Sequence, residues 1–455
     1  MLVLQAKIKK AIIVLITRTF EGVNMFYNSL RLFTLIFILA GCENSDLITD
    51  YIAITDITVI NVVNGEKESG VNVLISEEKI LEIGTDVSIP ENAFQVNGTG
   101  KFLIPGLWDM HSHHEALGTE SLNLYLVNGV IGTRDMGSEL AFILSLRESI
   151  NNKDILGPEI IAAGPILDDA PPNFPSRQRV STAEEARQTV RDLHESGVDF
   201  IKIHNLTPRE TFFAIADETA KLGLTFSGHV PLAVTVEEAV LSGMNSIEHL
   251  SNYRIFLECS VAEAYSEKNC QELFNSLALN SIWQTPTLVI SQEFPVMMNG
   301  ILNNIPIAQT LSHSEFANEQ LIQRFEFELG IQPSEQVVKF FNANNIFMLE
   351  AINDLHESGT KLLAGCDALV PGFCLHDEMR WMTTAGLTPL EALQTATINP
   401  AIFLGREDSQ GTIEAGKRAD LVLLDEDPLL DINNTQKINA VLVRGHLITK
   451  PFIEQ

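Results

Sequence analysis

Basic residues are scarce in this chain. Lysine and arginine together number 30 against 59 aspartates and glutamates in 455 residues, a formal charge of -29. A surface that grips a nucleic-acid backbone has to be basic, so that class of partner is excluded as a main function. Cysteine is also sparse, with five residues, few for a chain this long. Long polar, proline-rich or glycine-rich tracts are missing while 45% of residues are hydrophobic, which excludes disorder as the default and leaves enough apolar mass for one α/β core of barrel size plus a smaller satellite.

The most apolar stretch lies near the N-terminus and is too short for a membrane span. Residues Met25 to Cys42 read MFYNSLRLFTLIFILAGC, with Arg31 ahead of the run from Leu32 to Leu39 and then Leu39-Ala40-Gly41-Cys42. A short positive segment, a short apolar segment and a small-residue cleavage site form a signal peptide. Its last four residues resemble a bacterial lipobox, in which Cys42 receives lipid and becomes the new first residue; the alternative is an uncleaved N-terminal anchor. The reading implies an exported, membrane-anchored lipoprotein, on the periplasmic side in a Gram-negative host. Residues 1–24 hold a second apolar run, Ala11 to Ile16, behind Lys7, Lys9 and Lys10; they are a candidate upstream extension, and Met1 and Met25 are both candidate starts.

Both ends of the remaining chain read as strands. From Tyr51 to Val96, and again in Ala419–Leu424 and Ile438–Ile448, β-branched residues alternate with polar ones between Asn, Gly and Glu turns, the period-2 signature. The economical arrangement is a small β-sandwich built from residues 50–101 and 405–451, enclosing a barrel over 102–404. Inside, helix and strand alternate. Ser181 and Glu184 form a candidate capping box, Gly197 stops that helix, and Val198–Ile203 follows as a strand; Thr207-Pro208 and Thr235 through Glu238 open the next two helices, before Leu224–His229 and Ser246–His249. Alternation with short links implies a parallel sheet, and the expected fold class is α/β, a (β/α)8 TIM-like barrel with the small β-sandwich beside it.

Three successive strands then end in Lys202, His229 and His249, at the end of a barrel strand where this fold places its chemistry. Ahead of them, His111 and His113 in Leu107–His113 share one face of an extended segment, and Asp367 closes the short run Leu363–Cys366. Histidine and carboxylate suit zinc and related divalent ions. Lys202 sits in the apolar strand Phe200-Ile201-Lys202-Ile203, where an unpaired charge is costly. Carbon dioxide captured there as a carbamate makes it an anion able to bridge two ions; a snorkelling lysine, or one paired with a carboxylate, is the plainer reading.

The ordered set His111-x-His113, Lys202, His229, His249 and Asp367 resembles the amidohydrolase superfamily, in its imidazolonepropionase-like and Xaa-Pro dipeptidase-like branches. Further resemblance lies in Phe102–His113, Thr133–Gly137, Leu375–Glu378, Ala385–Pro400 and Gly411–Asp425. It implies two divalent ions, with zinc expected. His111, His113 and Asp367 would hold the buried one, His229 and His249 the more exposed one, with carboxylated Lys202 between them and Asp367 as proton shuttle. His204 shares the face of Lys202 if the strand continues and otherwise lies in a loop. Arg134 and Tyr253, just past strand ends, are candidates for holding a substrate carboxylate, with packing or salt-bridge roles as the alternative. Cys366 and Cys374 lie near this site, and Cys259 and Cys270 are candidates for a disulfide.

The implied activity is hydrolysis of amide bonds in small peptides or N-acyl amino acids. Lactone or phosphotriester hydrolysis on the same site is the second reading, and a non-catalytic binding lipoprotein the third. The small-molecule or short-peptide substrate is the expected partner, contact with a membrane is through the N-terminal lipid only, and a homo-oligomer is compatible with the sequence.

Overall fold

The computed structural model describes residues 51–170, 176–251, 254–255, 258, 267–317, 321–322 and 334–449. Cys42, Tyr253 and Cys259 therefore lie outside the described residues. Both ends of the described chain meet in one eight-stranded sheet. Its strands are β1 (Tyr51–Ile60), β2 (Lys67–Ser76), β3 (Lys79–Gly84), β4 (Phe94–Asn97) and β5 (Phe102–Pro105) from the front, with β15 (Leu421–Leu424), β16 (Ile438–Val443) and β17 (His446–Thr449) from the back. The order is β17-β16-β15-β5-β1-β2-β3, with β4 on β1. Ile54, Ile57, Val71, Val73, Leu421, Leu423 and Leu442 fill its own core.

The expected boundary at residue 102 shifts to Gly106. β5 pairs with β1 and, antiparallel, with β15. Alternation explains its place: Leu103 enters the sheet's core while Ile104 enters the main one. β5 is thus the seam between the two layers.

The barrel strands are β6 (Leu107–Ser112), β7 (Val130–Asp135), β8 (Glu159–Ala162), β9 (Ile166–Asp168), β10 (Arg177–Arg179), β11 (Phe200–Ile203), β12 (Thr225–Gly228), β13 (Ser246–Glu248) and β14 (Trp283–Thr285). All their pairings are parallel. The Asp199 N–H donates to Ala162 O at 2.9 Å and joins β8 to the segment entering β11. Residues 362–364 take the eighth place: Leu362 bridges Gln284, the Leu363 N–H donates to Gln284 O, and the Met110 N–H donates to Ala364 O, both at 2.9 Å. The ring is closed.

Caps set the helices that space these strands. Thr182 and Glu185, one residue on from the expected pair, form the capping box of the helix Ala183–Ser196, which Gly197 ends in the left-handed conformation. Thr235 with Glu238 and Thr388 with Glu391 do the same for Val236–Leu241 and Pro389–Ala396. β14 ends at Thr285, and a helix runs from Leu288 to Leu302.

Candidate metal centre

At the C-terminal mouth of the barrel, three imidazoles surround one carboxylate. Asp367 Oδ1 is 3.4 Å from His113 Nε2 and 3.9 Å from His111 Nε2, and Oδ2 is 3.5 Å from His249 Nε2. Each ring reaches this point by Nε2 because Nδ1 is anchored elsewhere. His111 Nδ1 donates to Glu248 Oε2 at 2.9 Å, and His113 Nδ1 to Gly137 O at 2.9 Å. His249 Nδ1 donates to Thr287 Oγ1 at 2.6 Å, an oxygen whose own proton goes to Pro286 O. Anchoring at Nδ1 leaves the Nε2 lone pair for a ligand, the usual device around a bound metal. Burial, then the nearby Lys202, holds His111 well below the ordinary histidine range and His249 down to about 3, so both rings are neutral.

These donors fit a cation. His111 Nε2 is buried with no hydrogen-bond partner, and donor atoms of His111, His249 and Asp367 lie within 4.8 Å of one another. A buried lone pair without a partner is expensive unless something fills the gap. Backbone strain gathers at the same place: His249, Thr287 and Asp367 have φ of 56°, 50° and 51°, a left-handed conformation that non-glycine residues adopt at a cost and that clusters at functional sites.

The expected pair of ions bridged by a carboxylated Lys202 is corrected by this geometry. The metal-capable clusters among the described residues are His111, His249, Asp367 and Asp109, Cys366, Cys374, and neither includes the lysine. The second is not a thiolate site, because Cys366 and Cys374 form a disulfide with Cα atoms 5.8 Å apart. An ammonium has no lone pair to offer. Lys202 is instead a buried cation whose pKa burial lowers to about 8, against the attraction of Glu248 and Asp367. His229 lies beside the cluster, its ring 4.9 Å from that of His249 and its Nδ1 donating to Asn205 Oδ1 at 2.9 Å.

Arg134 is also corrected. It belongs to β7, not to the mouth, and points into the barrel interior. Nε donates to Met110 O at 2.8 Å, Nη1 to Ser246 Oγ at 2.9 Å, and Nη2 to Glu248 Oε1 and Oε2 at 2.9 and 3.0 Å. With 1% of its surface exposed, it holds the carboxylate that holds His111 and cannot meet a substrate. Sequence reasoning missed Glu248, although a carboxylate inside the strand Ser246-Ile247-Glu248 is the same kind of signal as Lys202 in its own.

Sequence reasoning also missed Arg177. This residue and His204 share one buried anchor, Asp168: Arg177 Nη1 donates to Asp168 Oδ2 at 3.2 Å, and His204 Nδ1 lies 3.2 Å from the same oxygen. Both residues line a pocket of about 510 Å³ that also contains His111, His113, Lys202, His229, His249 and Asp367. His376, between Thr435 Oγ1 and Asn128 O, is a packing contact.

Residues 340–448 match the model of the amidohydrolase family. Ochratoxinase from Aspergillus niger is 23% identical, over 83% of this chain and 82% of the relative, and its crystal structure superposes with a TM-score of 0.64 at 19% identity, covering 88% and 95% of the two chains. A 5'-deoxyadenosine deaminase from Methanobrevibacter smithii is 24% identical over 82% of this chain and 84% of the relative. A Xaa-Pro dipeptidase with methionine bound in its active site superposes with a TM-score of 0.68 at 20% identity, covering 88% of this chain and 100% of the other. The matched segment carries Asp367, and the rest of the chain supplies the histidines that meet that carboxylate: over residues 340–448 the chain is similar to the amidohydrolase family, and its fold is the one these solved structures share.

Proposed function

We propose that the chain hydrolyses the amide bond of small N-acyl amino acids or dipeptides that carry a free carboxylate. The observation that carries the reading is the shared pocket, in which the His111, His249 and Asp367 cluster and Arg177 open into one space. A divalent cation held by that cluster would act as a Lewis acid toward the scissile carbonyl. Asp367 takes the proton of the attacking water and returns it to the leaving nitrogen. Burial raises its pKa, against the pull of His113 and Lys202, so it is a better proton acceptor than an exposed aspartate. Arg177 reads the substrate carboxylate: Asp168 fixes one of its nitrogens, and its remaining donors have no partner among the described residues. Relatives that include a Xaa-Pro dipeptidase support a peptide-like substrate.

The test is a screen of the metal-loaded enzyme against dipeptides and N-acyl amino acids beside matched C-terminal amides, lactones and phosphotriesters. Free acids should exceed their amides at least about tenfold in kcat/KM, about 1.4 kcal/mol, and Arg177→Met should close that gap. Equal rates on acid and amide would remove the carboxylate contact, and turnover confined to lactones or phosphotriesters would overturn the amide assignment.

We also propose export. Support comes from the Met25–Cys42 segment and from the Cys366–Cys374 disulfide, since such bonds persist in oxidising compartments. Cys42→Ser should abolish lipid labelling in the native host, and an unprocessed chain in its cytosol would count against the idea.

A further inference from the structure

The pocket has two unlike sides. Arg177 and His204 stand over the third and fourth places of the barrel ring, after β9 and β11. The opposite wall, over the seventh and eighth places, is apolar. Ile290 and Phe294 come from consecutive turns of the helix Leu288–Leu302, and Phe341 and Met348 lie two turns apart on the helix Glu335–Glu357. The Phe294 and Phe341 rings meet edge to face with centroids 4.6 Å apart, a preferred aromatic arrangement that fixes both. The polar side chains these helices add to the lining are Ser291, Asn344 and Asn345; of these, Asn344 Oδ1 is buried without a hydrogen-bond partner and is available to an N–H of a bound molecule.

We propose that this wall is an acyl-side specificity pocket, so that the carbonyl half of the substrate is a large apolar group, aromatic or long aliphatic. The inference rests on the reading of Arg177 as the carboxylate contact. A substrate whose acid end lies on Arg177 has its scissile bond over His111, His249 and Asp367, and its acyl group then extends across to Phe294 and Phe341. Nothing charged on that wall competes: Ile290, Phe294, Phe341 and Met348 offer carbon and sulfur only. A small acyl group would leave the wall wet, while a large one removes water from both partners.

The probes are ketomethylene analogues of N-acyl glycines, in which CH2 replaces the amide nitrogen and turnover is blocked. Calorimetry on the full-length protein should show affinity rising from acetyl to butanoyl to hexanoyl and phenylacetyl, by roughly fourfold for each methylene buried. Phe341→Ala should flatten the series, and Ile290→Ala, a smaller change at a half-buried position, should lower its slope. A flat or falling series in the parent protein, absence of binding by every member, or an unchanged slope in both variants would overturn the inference. Hydrolysis of the corresponding amides is measured in parallel to separate the two readings. A steep binding series with no amide turnover sinks the hydrolase assignment and leaves the pocket, whereas turnover indifferent to the acyl group does the reverse.

Discussion

Glu248→Gln should loosen the metal centre without dismantling the barrel. In the parent, Glu248 Oε2 accepts from His111 Nδ1 at 2.9 Å, and both of its oxygens accept from Arg134 Nη2. Glutamine keeps the shape and one acceptor but removes the charge, leaving a guanidinium with 1% exposure, no directly bonded carboxylate and only the weaker attraction of Asp109. Breaking a buried pair from one side costs about 3–5 kcal/mol. Here the lower figure is expected, because Arg134 retains Met110 O, Ser246 Oγ and Thr285 Oγ1 at 2.8, 2.9 and 3.1 Å. That is a large part of a typical folding free energy of about 5–15 kcal/mol, yet leaves a folded protein. Losing the carboxylate behind a metal-binding histidine typically weakens metal affinity by about 10–100-fold. Denaturant unfolding gives the first quantity, and competition with a chromogenic chelator gives the second. The double variant Arg134→Met with Glu248→Gln separates the two roles: it should recover stability, since neither charge is left alone, while metal affinity stays low. Unchanged affinity together with unchanged stability in Glu248→Gln would refute the chain of contacts from Arg134 to His111.

Elemental analysis of protein purified without chelator should find bound divalent metal, and His249→Ala should lower its content; parent protein that is active and metal-free would sink the cluster's role. Glu378, buried at the start of the helix Leu288–Leu302, accepts from the Val289 N–H at 2.8 Å, and burial raises its pKa from 4.5 to about 8. A carboxyl raised by folding contributes stability that is complete below about pH 4.5 and lost as pH climbs through about 8. Glu378→Gln should therefore gain melting temperature relative to the parent at pH 8 but not at pH 4, and parallel melting curves at both would refute the assignment. The Cys366–Cys374 bond closes a loop with a sequence separation of 8, so Cys374→Ser should cost about 2 kcal/mol. Cys270 is disulfide-bonded as well, so reductant should lower the melting temperature of both proteins but lower that of the parent further, and an equal response in the variant would count against it.

The fold was legible where the signal is periodic and local. Alternation in Tyr51–Val96 and Ile438–Ile448 predicted strands, and Thr235 with Glu238 predicted a helix start. The first capping box slipped by one residue because Ser181 and Thr182 are equivalent as sequence, and only Thr182 Oγ1 reaches the N–H three residues on. β5 was assigned to the barrel because a four-residue apolar run has no partner written in it; partnership with β1 and β15 is a contact across hundreds of residues. At the site, histidines at strand ends stood out because few residue types bind metals. Arg177 did not, since its importance comes from Asp168 fixing it at the pocket wall. The apolar wall was hidden for the same reason: Phe294 and Phe341 read as two ordinary helix faces until the barrel brings them together.

The barrel interior makes a trade that bears on how this site works. Interiors of such barrels are normally packed with branched apolar side chains, yet beneath the metal-binding histidines this one buries Arg134, Glu248, Ser246, Thr285 and Asp109, each at 1% exposure or less. A buried ion pair adds little to stability compared with a well-packed apolar set of the same volume, so stability does not account for it. Geometry does. Asp109 Oδ1 accepts from the backbone N–H of His111 and of Cys366, at 3.0 and 2.9 Å, tying the strand that carries the histidines to the segment that carries Asp367. Burial raises Asp109 to about 7, so the clamp is held at a cost in solvation. Glu248 fixes the ring of His111, and Arg134 fixes Glu248. Asp109 and Glu248 thus orient groups that face the pocket, Arg134 acts one step behind through Glu248, and the energy surrendered by burying charge is recovered as the alignment of His111 Nε2 and of the segment that carries Asp367.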